Sequence, residues 1–120
     1  AVLAGAGMTL LLALAVEPQA APSLYWTLLL SVAMHLFFIA GEIALPHGTA
    51  HARLAVWEMT KGRFRSYFVA GGVLLLATLI APWVAPASPV VVATAAIAAL
   101  AGLLAHEHAY VQAGQSVPLA

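Results

Sequence analysis

The distribution of charge constrains the fold of this chain more than any other feature. Residues 1–16, 18–41 and 66–105 contain no Lys, Arg, Asp or Glu, and all four cations lie between residues 46 and 65. Only 7% of the residues are charged, 64% are hydrophobic, and the mean hydropathy is +1.03. Because a soluble domain is about one quarter charged, so few charges cannot cover a water-exposed surface. The sequence therefore predicts an integral membrane protein.

The same composition excludes several classes of function. The four basic and four acidic side chains cancel, so the chain lacks the basic face that nucleic-acid binding requires. It contains no Cys, so it cannot itself form disulfides, thiolate metal sites or the ligands of an iron–sulfur cluster. Function must therefore be sought among the few polar residues that lie in apolar segments.

Four apolar segments predict an all-α, four-helix membrane bundle in a single domain. A helix needs about 20 apolar residues to cross a hydrocarbon core about 30 Å thick. Prolines at helix boundaries place the helices at about residues 1–16, 23–45, 64–82 and 90–110. The first segment covers only about 24 Å. We therefore expect it to be the end of a helix from a longer protein.

The basic loop at residues 46–65 predicts the orientation of the bundle. Lys and Arg are enriched on the cytoplasmic side of membrane proteins, so we expect this loop to be cytoplasmic. Four crossings then place both ends of the chain on that side, together with the cluster His106-Glu107-His108. The turns at residues 17–22 and 82–89 are expected on the opposite side.

A polar stripe runs along the second predicted helix. Thr27, Ser31, His35 and Glu42 follow one another at spacings of four, four and seven, which places them on one helix face. Polar groups within a membrane are costly and often functional, so the stripe indicates a proton relay or the wall of a quinone pocket. The alternative is structural: Thr and Ser bond their own helix carbonyls, and His35 and Glu42 join helices.

The predicted loop also contains the pair His47 and His51 in an H-x-x-x-H spacing. On one helix the two imidazoles would share a face and could bind a metal. The H-E-x-x-H motif of zinc hydrolases is absent, and we predict no metal site. The pair is then either interfacial or a set of proton-uptake groups, since His titrates near neutral pH.

Two further segments predict contacts with surroundings and neighbours. Residues 54–68 mix aromatic and basic side chains, which is typical of an interfacial segment that anchors to anionic lipid. Docking of a cytoplasmic partner is the other interpretation. In the last helix, Ala98-x-x-x-Gly102 is a small-residue spacing that permits close helix contact.

Several short motifs resemble those of the NrfD/PsrC-like (polysulfide reductase) membrane subunits. They are Gly41-Glu42-Ile43-Ala44, His47-Gly48-Thr49, Lys61-Gly62-Arg63-Phe64, Tyr67-Phe68-x-x-Gly71-Gly72 and Ala113-Gly114-Gln115. Members of that family are bundles of eight or more helices that anchor an iron–sulfur electron-transfer subunit and a molybdopterin catalytic subunit. They exchange electrons and protons with quinone. The resemblance implies that this chain is the C-terminal half of a longer protein, and that the whole protein has about eight to ten helices.

The resemblance assigns a role to only a few residues of this chain. It implies that Glu42 is the family's acid at a helix mouth and that Gly114-Gln115 is the family's helix terminus. The quinone-contacting residues of the family belong to the N-terminal half and have no counterpart here. Many members carry an Arg before Ala-Gly-Gln, where this chain has His106-Glu107-His108.

Together these observations predict a quinone-interacting membrane anchor of a respiratory molybdopterin/iron–sulfur oxidoreductase in a bacterial inner membrane. The chain would have no redox centre of its own, and it would bind a quinone or quinol. The other subunits would carry out the chemistry on the substrate. Its candidate residues for the quinone and proton route are His35, Glu42, His47, His51 and Glu107, supported by Thr27 and Ser31.

Two other functions compete with this prediction. A b-type haem anchor would ligate iron through His35 and either His106 or His108. The predicted helix ends place His35 in mid-membrane and the other two near the cytoplasmic face, so the depths match poorly. A transporter or purely structural bundle is the second rival, but the two helical hairpins show no internal repeat.

Overall fold

A computed structural model describes residues 1–118 of the chain. All regular structure in this range is helical, which confirms the predicted all-α class. The elements are α1 Val2–Val16, a short 3-10 helix Pro18–Ala20, α2 Ala21–Ala44, α3 Ala50–Thr60, α4 Arg65–Val84 and α5 Pro89–Ser116.

Three helical stretches are long and apolar enough to cross a membrane, and they indicate a membrane protein. They are Pro18–Ala44, Arg65–Val84 and Pro89–Ser116. The apolar helix α1 has 15 residues and reaches only about 22 Å. The outer surface of these helices carries large apolar side chains, such as Phe37, Trp83 and Leu104, which are 68%, 85% and 72% exposed. Exposing so much apolar area to water is unfavourable by about 25 cal/mol per Å², so these faces require apolar surroundings.

Helix α5 lies at the centre of the fold, with α4 packed along it and α1 packed against both α2 and α5. Helices α4 and α5 approach closely at a pair of glycines. A Cβ atom on Gly71 would lie 2.8 Å from the Gly102 carbonyl oxygen, and one on Gly102 would lie 3.0 Å from the Gly71 oxygen. The buried Thr78 hydroxyl adds a hydrogen bond of 3.1 Å to the Ala95 carbonyl of α5. The close contact predicted at Gly102 is therefore present, and Gly71 is its partner.

The segment predicted as a loop at residues 46–65 contains a further helix, α3. The Thr49 hydroxyl caps the helix by accepting a hydrogen bond of 3.2 Å from the Ala52 backbone N–H. Met59 at the end of α3 and Phe64 after it are buried against Ala109 and Ala113 of α5. These two side chains form the apolar contact of this segment with α5. The periodicity of the sequence does not reveal it, because charged residues surround both positions.

The last two helices are longer than predicted. Helix α4 continues through Pro82 to Val84, because the Ala85 N–H still bonds the Ala81 carbonyl beyond the proline at 3.2 Å. Helix α5 begins at Pro89, where the Ser88 hydroxyl accepts from the Val91 N–H, and it extends to Ser116. Its 28 residues reach about 42 Å. This length is greater than the thickness of a hydrocarbon core, so α5 extends beyond the core.

The two ends of the molecule differ in character. At one end, residues in and beside both short turns, among them Pro18, Pro22, Pro82 and Pro89, line a common cleft. At the other end, α3 packs against the C-terminal part of α5. The elements are thus grouped as the predicted topology requires, while the side of the membrane that each end faces stays a prediction.

Candidate functional site

Two histidines from different helices meet inside the helical packing. The ring centroids of His35 in α2 and His106 in α5 lie 5.1 Å apart, and the rings are edge to face at 88°. His106 is buried, with 6% exposure, and His35 is half-buried. The buried atoms His35 Nε2 and His106 Nδ1 have no hydrogen-bond partner among residues 1–118. Buried polar atoms are nearly always satisfied, so this pair is the strongest candidate site.

This contact corrects the expectation that the two histidines lie at different depths. Because α5 extends to Ser116 instead of ending near Tyr110, His106 lies ten residues before the end of its helix. His35 lies nine residues before the end of α2 at Ala44. At about 1.5 Å per residue, both side chains are about 14 Å from the same end of the molecule.

The position of His106 depends on the close approach of α4. A Cβ atom on Gly71 would lie 3.0 Å from the His106 backbone nitrogen, so only a glycine lets the two backbones come this near. One helical turn before Gly71, the Phe68 ring lies 5.8 Å from the His106 ring. The Tyr110 ring lies 6.5 Å from His106 along α5 itself. His106 is therefore held by contacts from three helices.

A cavity of about 410 Å³, here called the His35 cavity, adjoins the pair. Ser31, His35 and Glu107 are the polar groups in its wall. The other lining residues have apolar side chains; they include Leu30, Met34, Phe38 and Leu103, together with the first residue, Ala1. An apolar cavity with a few convergent polar groups is the usual form of a small-molecule site.

A second cavity of about 180 Å³, here called the Glu42 cavity, lies toward α3. Glu42, His47 and Tyr110 are polar residues in its wall, beside Met59 and Ala113. The buried His47 Nε2 atom has no hydrogen-bond partner within residues 1–118. The His47 carbonyl accepts a hydrogen bond of 3.2 Å from the Arg53 guanidinium, which holds the segment before α3 against that helix.

Tyr110 and His106 connect the two cavities. Tyr110 lines the Glu42 cavity and contacts His106, while His106 contacts His35, which lines the His35 cavity. The titratable side chains thus form a row from α3 to the middle of α2. The row is built of ring contacts, so a proton can pass along it only through bridging water or side-chain rotation. An arrangement of this kind can carry protons between a polar surface and an interior site.

The stripe predicted along α2 is divided by the structure. The Thr27 hydroxyl donates to the Ser23 carbonyl at 2.9 Å, and the Ser31 hydroxyl donates to the Thr27 carbonyl at 2.7 Å. These bonds within the helix match the structural alternative for Thr27 and Ser31. Of the remaining members, His35 belongs to one cavity and Glu42 to the other.

The loop histidines are also separated. His47 precedes the N-cap Thr49, whereas His51 lies exposed in the first turn of α3 and lines neither cavity. The two imidazoles therefore do not share a helix face. Within residues 1–118, no three His, Cys, Asp or Glu side chains come close enough to hold a metal ion.

The histidine pair does not have the geometry of an iron site. Two axial ligands must both direct a nitrogen lone pair at one iron. In the edge-to-face contact of His35 and His106, one ring instead presents its π face to the other. A porphyrin would also have to enter between two rings that touch. Haem ligation would therefore require α2 and α5 to move apart.

The sequence predicts Glu107 as a route residue, His106 only as an alternative haem ligand, and Tyr110 in no role. The spacing of small residues in α5 could have identified His106. Ala95, Ala99 and Gly102 are buried against neighbouring helices, and His106 follows Gly102 by four residues on the same face. Glu107 lies one position further round, where it is exposed at the His35 cavity.

Comparison with models of protein families, with curated proteins and with solved structures yields no match.

Proposed function

We propose that this chain is a quinone-interacting membrane subunit of a respiratory molybdopterin/iron–sulfur oxidoreductase, of the NrfD/PsrC-like kind. The observation that carries the proposal is the buried His35–His106 pair beside the His35 cavity. Reducing a quinone to a quinol requires two electrons and two protons. No residue of this chain is a redox centre by itself, so the electrons belong to the partner subunits and the protons to this chain.

The His35 cavity has the chemistry that a quinone head group requires. Its volume of about 410 Å³ falls within the range of about 300–1,000 Å³ for small-molecule sites. The apolar wall suits the planar ring, and Ser31, His35 and Glu107 supply polar groups for the two quinone oxygens. His35 is the proton donor to the nearer oxygen, and His106 resupplies it.

The Glu42 cavity suits the entry of protons. Glu42 and His47 line it on the side of α3, at the end of the molecule that this proposal assigns to the cytoplasm. Tyr110 then leads from this cavity to His106. His51 is exposed at the same end and acts at most as a proton-collecting group at the surface.

The proposal includes the setting of the chain. Helices α1, α2, α4 and α5 form a four-helix bundle within a protein of eight to ten helices in a bacterial inner membrane. The basic segment at residues 46–65 is cytoplasmic, as the enrichment of Lys and Arg on that side predicts. The large exposed apolar side chains of α2 and α4 support contacts with lipid and with further helices.

The test uses the full-length parent protein purified from membranes with whatever accompanies it. We expect iron–sulfur and molybdopterin subunits to co-purify, and recovery of a lone homo-oligomer would contradict the proposal. In that complex, His106→Gln is expected to lower the rate of quinone-linked electron transfer at least about 100-fold, as for loss of a proton-transfer group. The matched control His108→Gln, at an exposed position that lines neither cavity, should stay within two-fold of the wild type. Equal rates in the two variants would exclude His106 from the route.

The b-type haem anchor is the second candidate, because His35 and His106 lie at equal depth on different helices, and it requires α2 and α5 to separate. A visible absorption spectrum of the purified protein separates the two functions. The quinone proposal predicts no haem Soret band from this subunit. A Soret band that disappears in His35→Gln would establish the haem function instead.

A further inference from the structure

We propose that the end of the molecule formed by α3 and the start of α4 binds anionic lipid headgroups. Its cations, here called the basic band, are Arg53, Lys61, Arg63 and Arg65, and all four side chains are exposed. Arg53 belongs to α3, Lys61 and Arg63 to the turn after it, and Arg65 is the first residue of α4. The basic band contains every Lys and Arg of the chain.

One carboxylate lies among these four cations, and the other three lie elsewhere. Glu58 is the only acid between residues 46 and 65, and its Oε2 atom accepts a hydrogen bond of 3.1 Å from the Arg63 backbone N–H. Glu42 and Glu107 line the two cavities, and Glu17 follows α1 near the opposite turn. The basic band therefore presents a net positive surface.

The basic band lies at the depth of lipid headgroups when the long helices span a membrane. It connects the end of α2 at Ala44 with the start of α4 at Arg65, and both helices are long enough to cross. Clusters of four or more Lys and Arg directly beside a membrane span bind anionic lipids, at about 1 kcal/mol per cation. The phosphates of such lipids are the nearest anions that this position offers.

The outer side of α3 selects lipid over a free anion. Leu54, Trp57 and Lys61 follow one another at spacings of three and four, so they share one side of the segment. Leu54 and Trp57 are 42% and 51% exposed, whereas Met59 on the opposite side is buried against α5. An apolar and aromatic strip beside cations matches the boundary between acyl chains and headgroups, and inorganic phosphate would leave that strip uncovered.

The experiment titrates the delipidated protein in detergent with phosphatidylglycerol or phosphatidylcholine and counts bound lipids by native mass spectrometry. We expect phosphatidylglycerol to bind more tightly, and the triple variant Lys61→Gln, Arg63→Gln, Arg65→Gln to weaken that binding at least about ten-fold. The control Lys61→Arg, Arg63→Lys, Arg65→Lys keeps the charge and should stay within about two-fold. Equal affinity in the Gln variant, or no preference for phosphatidylglycerol in the wild type, would overturn the proposal.

Two further arms identify the source of the anion. Trp57→Ser should weaken phosphatidylglycerol binding, whereas Trp83→Ser, at an exposed position near the opposite turn, should not. Inorganic phosphate should displace the lipid no better than chloride at the same ionic strength. If phosphate competes specifically, the surface binds a free anion and not a lipid. If the two Trp variants behave alike, the strip of α3 does not contact the lipid, and the proposal is overturned.

Discussion

At the scale of single residues, the properties of this protein converge on His106. Its imidazole is buried between α2, α4 and α5 and keeps a nitrogen without a hydrogen-bond partner in the described part of the chain. Leaving a buried polar group unsatisfied costs about 1–3 kcal/mol. Thr78, a buried polar side chain between α4 and α5, is by contrast within hydrogen-bond distance of two carbonyls. The contrast favours a working role for His106 over a purely structural one.

We therefore predict that His106→Phe leaves the fold intact or stabilises it by about 1–2 kcal/mol, because it removes the unsatisfied nitrogen and keeps the ring contacts. Unfolding of the purified protein by denaturant in detergent would measure this. The control His108→Phe replaces an exposed ring that packs against Tyr67 at a tilt of 54°, with centroids 4.5 Å apart, and little change is expected. A destabilisation of His106→Phe by more than about 2 kcal/mol would show that the imidazole holds the helices together.

At the scale of elements, the crossing of α4 and α5 positions the site. Gly71 and Gly102 bring the two backbones together, and the same contact places Gly71 against the His106 backbone. Because tightly packed helices cannot absorb an added methyl group without moving, the crossing and the site are one structural unit. Any displacement of α4 changes where His106 meets His35.

Gly71→Ala and Gly102→Ala are each expected to destabilise the protein by about 1–3 kcal/mol through overpacking. Gly72→Ala is the matched control, since a Cβ atom there meets nothing within 4 Å, and it should be neutral or slightly stabilising. Thermal unfolding in detergent compares the three variants. Equal stability of Gly71→Ala and Gly72→Ala would mean that the helices do not cross at the glycines.

The turn between α3 and α4 depends on Gly62 in the same way. A Cβ atom on Gly62 would lie 2.7 Å from the Glu58 Cα atom, so Gly62→Ala should release α3 from the end of α5. Because the basic band supplies the Lys and Arg residues that trypsin recognises, limited proteolysis reports this release as faster cleavage at residues 53–65. Gly48→Ala, where a Cβ atom has open space, should leave the cleavage rate unchanged. Identical rates in the two variants would contradict the packing of this turn.

At the scale of the whole molecule, the apolar exterior determines where the protein can exist. Large apolar side chains cover the outside of the helices. In the most apolar stretches of α2 and α4, only 17% of the residues are buried within the molecule. We expect the protein to stay in the membrane pellet after washing at alkaline pH and to require detergent for extraction. The measurement is the distribution of the protein between pellet and supernatant. Release into the supernatant by the alkaline wash alone would exclude membrane-spanning helices.

The sequence by itself determined the helical class, the approximate helices and the gathering of all cations at one end. These features depend on local composition, since an apolar run of sufficient length forms a helix whatever its neighbours are. Helix ends were less predictable, because Pro82 did not terminate α4 and α5 continued past Tyr110. Those six extra residues of α5 changed the expected depth of His106 and hence its partner.

Only the tertiary structure decided which polar residues meet. The rotation and axial register of each helix separate Glu42 from His35, although both belong to one stripe of α2, and bring His35 against His106 from α5. Register is determined by packing between distant parts of the chain, here the contact of Gly71 with Gly102. Periodicity describes the faces of one helix at a time. It therefore predicts which residues share a face but not which faces come into contact.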